Sequence, residues 1–142
     1  QGHPLVEALK PLLCEAIDGY IAGLPEDDSH PFVQQRDKTW HFTDSWSSRL
    51  RSRGFHTNHV HTHGWISSCY YVAVPPSVAE GGQAGWIKFG EPDLDLGLGP
   101  QRLEQPQPGR LVLFPSCFWH GTMAFEDDAP RLTIAFDVKP AP

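Results

Sequence analysis

Cysteine is scarce in this 142-residue sequence: Cys14, Cys69 and Cys117 are odd in number and far apart. That spacing argues against a disulfide framework and matches no paired zinc-ligand motif. It points to a reducing interior, and hence to a cytoplasmic location. Basic charge is also short, with 11 Lys and Arg against 17 Asp and Glu, a net charge of -6 and a pI near 5.7. The cations are scattered, so no stripe is left for a phosphate backbone and no nucleic-acid partner is expected. Long apolar runs are missing as well. No stretch approaches the roughly 20 apolar residues that a bilayer-crossing helix needs, and no basic-then-apolar leader opens the sequence, so the reading is of a soluble chain with no membrane partner. The first residues, "QGHP", include no Met, which leads to the expectation of a piece cut from a longer parent.

What remains is enough for a core. With 39% hydrophobic side chains, residues 1–142 are expected to form one domain. Residues 1–25 carry a helical stripe (Leu5, Val6, Leu9, Leu12, Leu13, Ala16, Ile17, Tyr20, Ile21, Leu24), interrupted at Pro11 and stopped by Gly23 and Pro25. After the polar loop "PEDDSHP", residues 39–138 read as β-structure. "TWHFTDSWSSRLRS" alternates in the manner of a strand, and "WISSCYYVAV", "GWIKF", "GRLVLF" and "RLTIAFDV" are short β-like runs separated by Gly and Pro clusters. Nothing after the first segment looks helical, and the pattern means a sandwich or barrel. The aperiodic stretch "GEPDLDLGLGPQRLEQPQPG" is expected to be a long surface loop, a candidate lid.

Chemistry concentrates in the histidines. "HVHTHGW", His59 to Trp65, holds three of the chain's eight. If "NHVH" is extended, His59 and His61 project from one face. His63 shares their parity but precedes Gly64, and His56 has the opposite parity, so both rank below the first pair. Taken singly, strand histidines are more often solvated than ligating. A second signal lies downstream, where "GRLVLFPSCFWHGTMAF" places His120 just past an apolar strand. A third imidazole meeting the first pair would give a facial set of nitrogen donors with open positions, which suits Fe(II) better than a closed structural zinc site. On "RLTIAFDV", Arg131, Thr133, Ala135 and Asp137 share one face. A guanidinium beside a hydroxyl is an anchor for a dicarboxylate; the ordinary alternative is a surface Arg131 paired with Glu126 or Asp127.

"HVHTHGWISSCYYVAVP", "GWIKFGEP" and "QPGRLVLFPSCFWHGTMAFEDDAPRLTIAFD" together resemble the 2-oxoglutarate- and Fe(II)-dependent oxygenases with a double-stranded β-helix core, in the branch often found after tetratricopeptide repeats in bacterial proteins. The resemblance runs from about Trp40 to Val138. It implies a mainly β, jelly-roll or cupin-like fold with the N-terminal helical segment packed on one side. The implied metal ligands are His59, His61 and His120. Arg131 and Thr133 match the pair that holds the far carboxylate of 2-oxoglutarate, and Tyr71, or Tyr70 if the register slips, is a further contact.

The implied activity uses Fe(II), 2-oxoglutarate and O2 to hydroxylate a small-molecule, peptide or protein substrate, with release of succinate and CO2. Upstream tetratricopeptide repeats are the implied neighbour in the parent chain. One departure stands out: most such enzymes carry Asp or Glu where His61 stands, and a neutral imidazole leaves more positive charge on the metal. His61 ligates, or water takes its place, or activity has been lost. Two rival readings share the barrel: a three-His cupin dioxygenase that does not use 2-oxoglutarate, and a non-catalytic domain that senses metal or carboxylate. For the second nitrogens of the ligating rings, Asn58, Ser67, Ser68 and Asp137 have suitable chemistry. Trp65, Trp119, Phe118 and Phe55 are candidates for the pocket wall, with core packing the more ordinary role for each.

Overall fold

The computed structural model describes residues 2–36 and 39–142, which divide into two compact units: the described residues up to Thr39 together with residues 140–142, and residues 40–139. The first unit is built on helix α1, Pro4–Ala22. The His3 ring caps its start by accepting from the Leu5 N–H at 3.2 Å, and Pro4 occupies the first turn, where a missing N–H costs nothing. Gly23 ends it, donating its N–H to the carbonyl of Gly19. The expected interruption at Pro11 does not occur, since the helix runs straight through it. Pro11 is on the exposed side, where the carbonyl one turn back can bond to water instead. Leu13 and Ile17 are the buried positions of the stripe, whereas Leu5 and Leu12 are exposed. A short 3-10 turn follows at Val33–Gln35.

The second unit contains seven strands among the described residues: β1 (Trp40–Leu50), β2 (Ile66–Ala73), β3 (Ile87–Phe89), β4 (Arg102–Glu104), β5 (Leu111–Pro115), β6 (His120–Thr122) and β7 (Arg131–Pro140). One sheet has the order β1-β7-β2-β5 and the other β4-β3-β6. The four β-like runs read from the sequence fall on β2, β3, β5 and β7. Contrary to the expectation of no later helix, a five-residue helix α2, Pro76–Glu80, follows β2. It starts at a Pro pair that presets its first turn.

Cys69 and Tyr71 from β2, Phe114 from β5, and Ile87 and Phe89 from β3 form a buried cluster, so the core lies between the two sheets. Phe89 and Phe114 meet edge to face, with ring centroids 5.0 Å apart. Register decides what faces this space. β2 and β7 pair antiparallel with Ser67 opposite Asp137 and Tyr71 opposite Thr133, then shift between Tyr71 and Ala73. Directly opposed residues share a face. The inner face of β7 therefore carries Arg131, Thr133, Ala135 and Asp137, all buried; on the other face Leu132 and Ile134 are half-buried, and Phe136 and Val138 are buried. The polar face of this strand is enclosed along its whole length, from Arg131 to Asp137.

The "EPDLDLGLGP" segment links β3 to β4 as the connection of a hairpin, and Leu94, Leu96 and Leu98 on it are exposed. Strand β4 lies inside the stretch read from the sequence as one long loop.

Since Phe114 closes the cluster from β5, Phe114→Ala is expected to lower unfolding stability by about 3–5 kcal/mol, the usual cost of emptying a buried aromatic site. Urea denaturation followed by tryptophan fluorescence measures it.

Candidate active site

His59 and His120 are 61 positions apart in the chain and are joined through the backbone. Each N–H donates to the other's carbonyl, at 2.9 and 3.0 Å, in an isolated antiparallel bridge. The same alignment continues on both sides, with Thr122 N–H to the His56 carbonyl at 3.1 Å and His61 N–H to the Ser116 carbonyl at 2.9 Å. Gly121 allows this approach, because a Cβ there would come within 2.9 Å of the His56 carbonyl. Residues 59–61 are thus held beside β6 without forming a regular strand, which departs from the extended strand expected for "NHVH".

The three imidazoles converge. Ring centroids are 5.2 Å apart for His59–His61, 4.3 Å for His59–His120 and 5.0 Å for His61–His120, and one nitrogen of each lies within 4.8 Å of the others. Their second nitrogens settle the tautomers. His59 Nδ1 donates to the Thr57 carbonyl at 2.7 Å and His120 Nδ1 to the Phe118 carbonyl at 2.9 Å. His61 Nδ1 donates to the Asp137 carboxylate, 2.7 and 2.9 Å from its two oxygens, with Ser67 Oγ 3.1 Å away. Carbonyls and carboxylates only accept, so in the neutral form of all three rings the proton sits on Nδ1 and Nε2 keeps its lone pair. Three neutral nitrogen donors on one side, with the opposite side open, fit a catalytic divalent ion such as Fe(II) rather than a closed structural site.

The same cleft is also lined by Arg131, Thr133 and Cys69. Arg131 is 1% exposed. Its Nη2 is 3.4 Å from the Tyr71 hydroxyl and its guanidinium carbon 4.9 Å from the centre of the Tyr71 ring. Nε and Nη1 have no hydrogen-bond partner among the described residues. Burial pushes the Tyr71 hydroxyl and the Cys69 thiol up from their usual ranges, so neither ionises to balance the cation. A buried, uncompensated guanidinium is costly. Its chemistry, beside the Thr133 hydroxyl, matches a carboxylate ligand.

The surface reading of Arg131 is overturned by this burial; the exposed cation that pairs with Glu126, at 3.3 Å, is Arg53. Tyr71 rather than Tyr70 turns inward. His63 is exposed and bonds to Thr62, outside the cluster. His56 lines the cleft, with Nε2 3.0 Å from Ser48 Oγ and Nδ1 3.1 Å from Thr122 Oγ1. Burial, then the charge of Arg131, lowers its pKa. Of the residues considered as partners for the second nitrogens, Asp137 and Ser67 serve His61, while Ser68 bonds to the backbone of Phe136. The other two rings use backbone carbonyls, which no side-chain pattern announces. Of the four aromatic wall candidates, Trp65 is buried, Phe55 and Phe118 are exposed, and none lines the cleft. Trp46 of β1 and Phe114 do, at 5.6 Å from His61 and 4.7 Å from His120 between ring centroids. Trp46 was legible only as one position in an alternating strand.

Burial lowers the pKa of His120 to about 4, against an ordinary value of 6.5. Between those values the unfolded chain takes up a proton that the folded chain refuses, so the stability present above pH 6.5 is lost as pH falls toward 4. In EDTA, the thermal midpoint is expected to drop between pH 7 and pH 5. His120→Gln should flatten that dependence in melts followed by circular dichroism.

The family description "Putative 2OG-Fe(II) oxygenase" matches residues 44–137, well over half of the chain. Among solved structures, an oxidoreductase of the 2OG-Fe(II) oxygenase family from Burkholderia pseudomallei is similar with a TM-score of 0.56 at 10% identity, over 72% of this chain and 46% of that one. Apo HygX from Streptomyces hygroscopicus gives 0.56 at 15% identity, over 99% and 79%. HygX with nickel and 2-oxoglutarate bound gives 0.51 at 13%, over 99% and 80%. The chain spans less than half the length of the first of these neighbours, and at such identities the likeness concerns the jelly-roll fold alone. Comparison with curated proteins gave no match. The family match does more, because it takes in both histidine segments and Arg131: the chain belongs to the 2-oxoglutarate- and Fe(II)-dependent oxygenases.

Proposed function

We propose that this chain is the catalytic domain of a 2-oxoglutarate- and Fe(II)-dependent dioxygenase that hydroxylates a small-molecule, peptide or protein substrate. The observation that carries the reading is the shared cleft, where three Nε2 lone pairs and an uncompensated buried guanidinium face one space. Fe(II), 2-oxoglutarate and O2 together supply the oxidising chemistry, with succinate and CO2 as co-products. The chain's own groups supply binding, orientation and shielding. His59, His61 and His120 hold the metal through Nε2, each ring fixed by the acceptor at its Nδ1. Arg131 receives the far carboxylate of 2-oxoglutarate through its two unpartnered nitrogens, Nε and Nη1, with the Thr133 hydroxyl as a further donor and the Tyr71 ring as a platform under the cation. Ile87, Phe114 and Ala135 give the cleft an apolar wall, which excludes water and strengthens each of these polar contacts. Tetratricopeptide repeats upstream in the parent, and a cytoplasmic setting, complete the reading on the grounds of the resemblance and of cysteine usage.

Arg131→Met separates a functional guanidinium from a structural one. The variant is expected to bind 2-oxoglutarate at least ~10-fold more weakly, since charge-assisted hydrogen bonds are each worth about 1.5–3 kcal/mol. The metal-free chain should melt at the same temperature or higher, because a buried unpaired charge has been removed. Anaerobic titration of the Fe(II)-loaded wild type with 2-oxoglutarate should give a weak visible charge-transfer band that the variant lacks. Oxygen uptake that ignores both 2-oxoglutarate and the substitution would point to a three-His cupin dioxygenase. Metal binding with neither band nor succinate would point to a sensing domain.

A further inference from the structure

In a centre of two histidines and one carboxylate, the carboxylate brings a negative charge directly to the metal. Here the corresponding position is His61, a neutral ring, yet a carboxylate stands immediately behind it. Asp137 is 7% exposed and places both oxygens within 2.9 Å of His61 Nδ1, from which they accept. The arrangement is built in from several directions. The β2–β7 register puts Ser67 opposite Asp137. The Ser67 hydroxyl lies 3.1 Å from the same Nδ1 and 2.7 Å from Ser116 Oγ. Gly64 leaves room for the group, because a Cβ there would collide with Ser116 Oγ and lie 3.5 Å from Asp137 Cγ. The other two rings are fixed by neutral carbonyls, so His61 alone of the three is backed by a charge.

We propose that Asp137 is a positioning residue that delivers through the His61 ring the negative charge that a carboxylate ligand would otherwise supply at the metal. The inference rests on the three-His reading of the site. A carboxylate that accepts the Nδ1–H makes Nε2 a stronger donor and fixes the plane of the ring. Counted with Asp137, the charge around a bound Fe(II) equals that of a two-His, one-carboxylate centre. The departure at position 61 is then a relocation of charge by one residue layer.

Two measurements test this. In the metal-free wild type, nitrogen-15 NMR of the histidine rings should show His61 protonated at Nδ1 with a far-downfield proton; protonation at Nε2 overturns the proposal without any variant. In anaerobic titrations with Co(II) alone, Asp137→Asn, which keeps the size of the side chain and an acceptor oxygen, should bind 10–100-fold more weakly, the usual effect of losing such a partner. Its iron-loaded form should show a more positive Fe(III)/Fe(II) potential. The double variant His61→Asp with Asp137→Asn, which moves the carboxylate onto the ligand position, should recover most of the lost affinity; a purely structural Asp137 would give no such rescue. Unchanged affinity and potential in folded Asp137→Asn overturn the proposal and leave the three-His site standing. If wild type fails to bind Co(II), or binds it equally well after His59→Ala, the site reading itself falls.

Discussion

The reciprocal pair of backbone hydrogen bonds between His59 and His120 is the constraint on which the site depends. Two segments far apart in sequence are aligned by groups that every residue carries, so the convergence of imidazoles does not rely on a long, entropically costly side-chain reach. Gly121 lets the segments approach closely. The neighbouring backbone bonds from Thr122 and His61 extend the alignment to both sides of the cluster. The ring orientations then follow from acceptors two residues back in the chain for His59 and His120, at the carbonyls of Thr57 and Phe118. Position and tautomer are both fixed before any ligand arrives, which is the economy of a preorganised centre.

The second half of the site has the opposite character. Arg131 is enclosed, stacked over Tyr71 and left with two unpartnered nitrogens. The fold bears the cost of holding that charge out of water, and the neighbouring hydroxyl and thiol stay neutral under the same burial. A side chain in this condition is poised for an anion. The cost is local: the surrounding core of Ile87, Phe89 and Phe114 is apolar and buried, and its packing keeps the cleft wall fixed around the guanidinium.

Much of this could be read from residue order, and what could not has a physical reason. Strand parity alone placed Arg131, Thr133, Ala135 and Asp137 on one face, because alternation is a property of any extended chain. It did not say that this polar face is enclosed, since enclosure depends on the second sheet. The main β-runs, including the three residues of β3, were visible through their apolar content, whereas β4 (Arg102–Glu104) and β6 (His120–Thr122) are equally short and mostly polar, and so show neither a period nor an apolar run. Pro11 read as a break because its local cost is real, but an exposed position absorbs that cost. His56 and Trp46 line the cleft through long-range placement, for which the sequence holds no local sign. Asp137 stood among four candidates for the second nitrogens, and only the β2–β7 register singles it out for His61.

That register has an evolutionary corollary. Because the guanidinium, the hydroxyl and the carboxylate occupy alternate positions of β7, inserting or deleting one residue between Arg131 and Asp137 would swing one end of the set to the far side of the sheet. The half-buried outer positions Leu132 and Ile134 can exchange among apolar residues freely by comparison, whereas Phe136 and Val138 on the same face are buried. Related chains should therefore drift in composition along this strand while keeping its residue count constant.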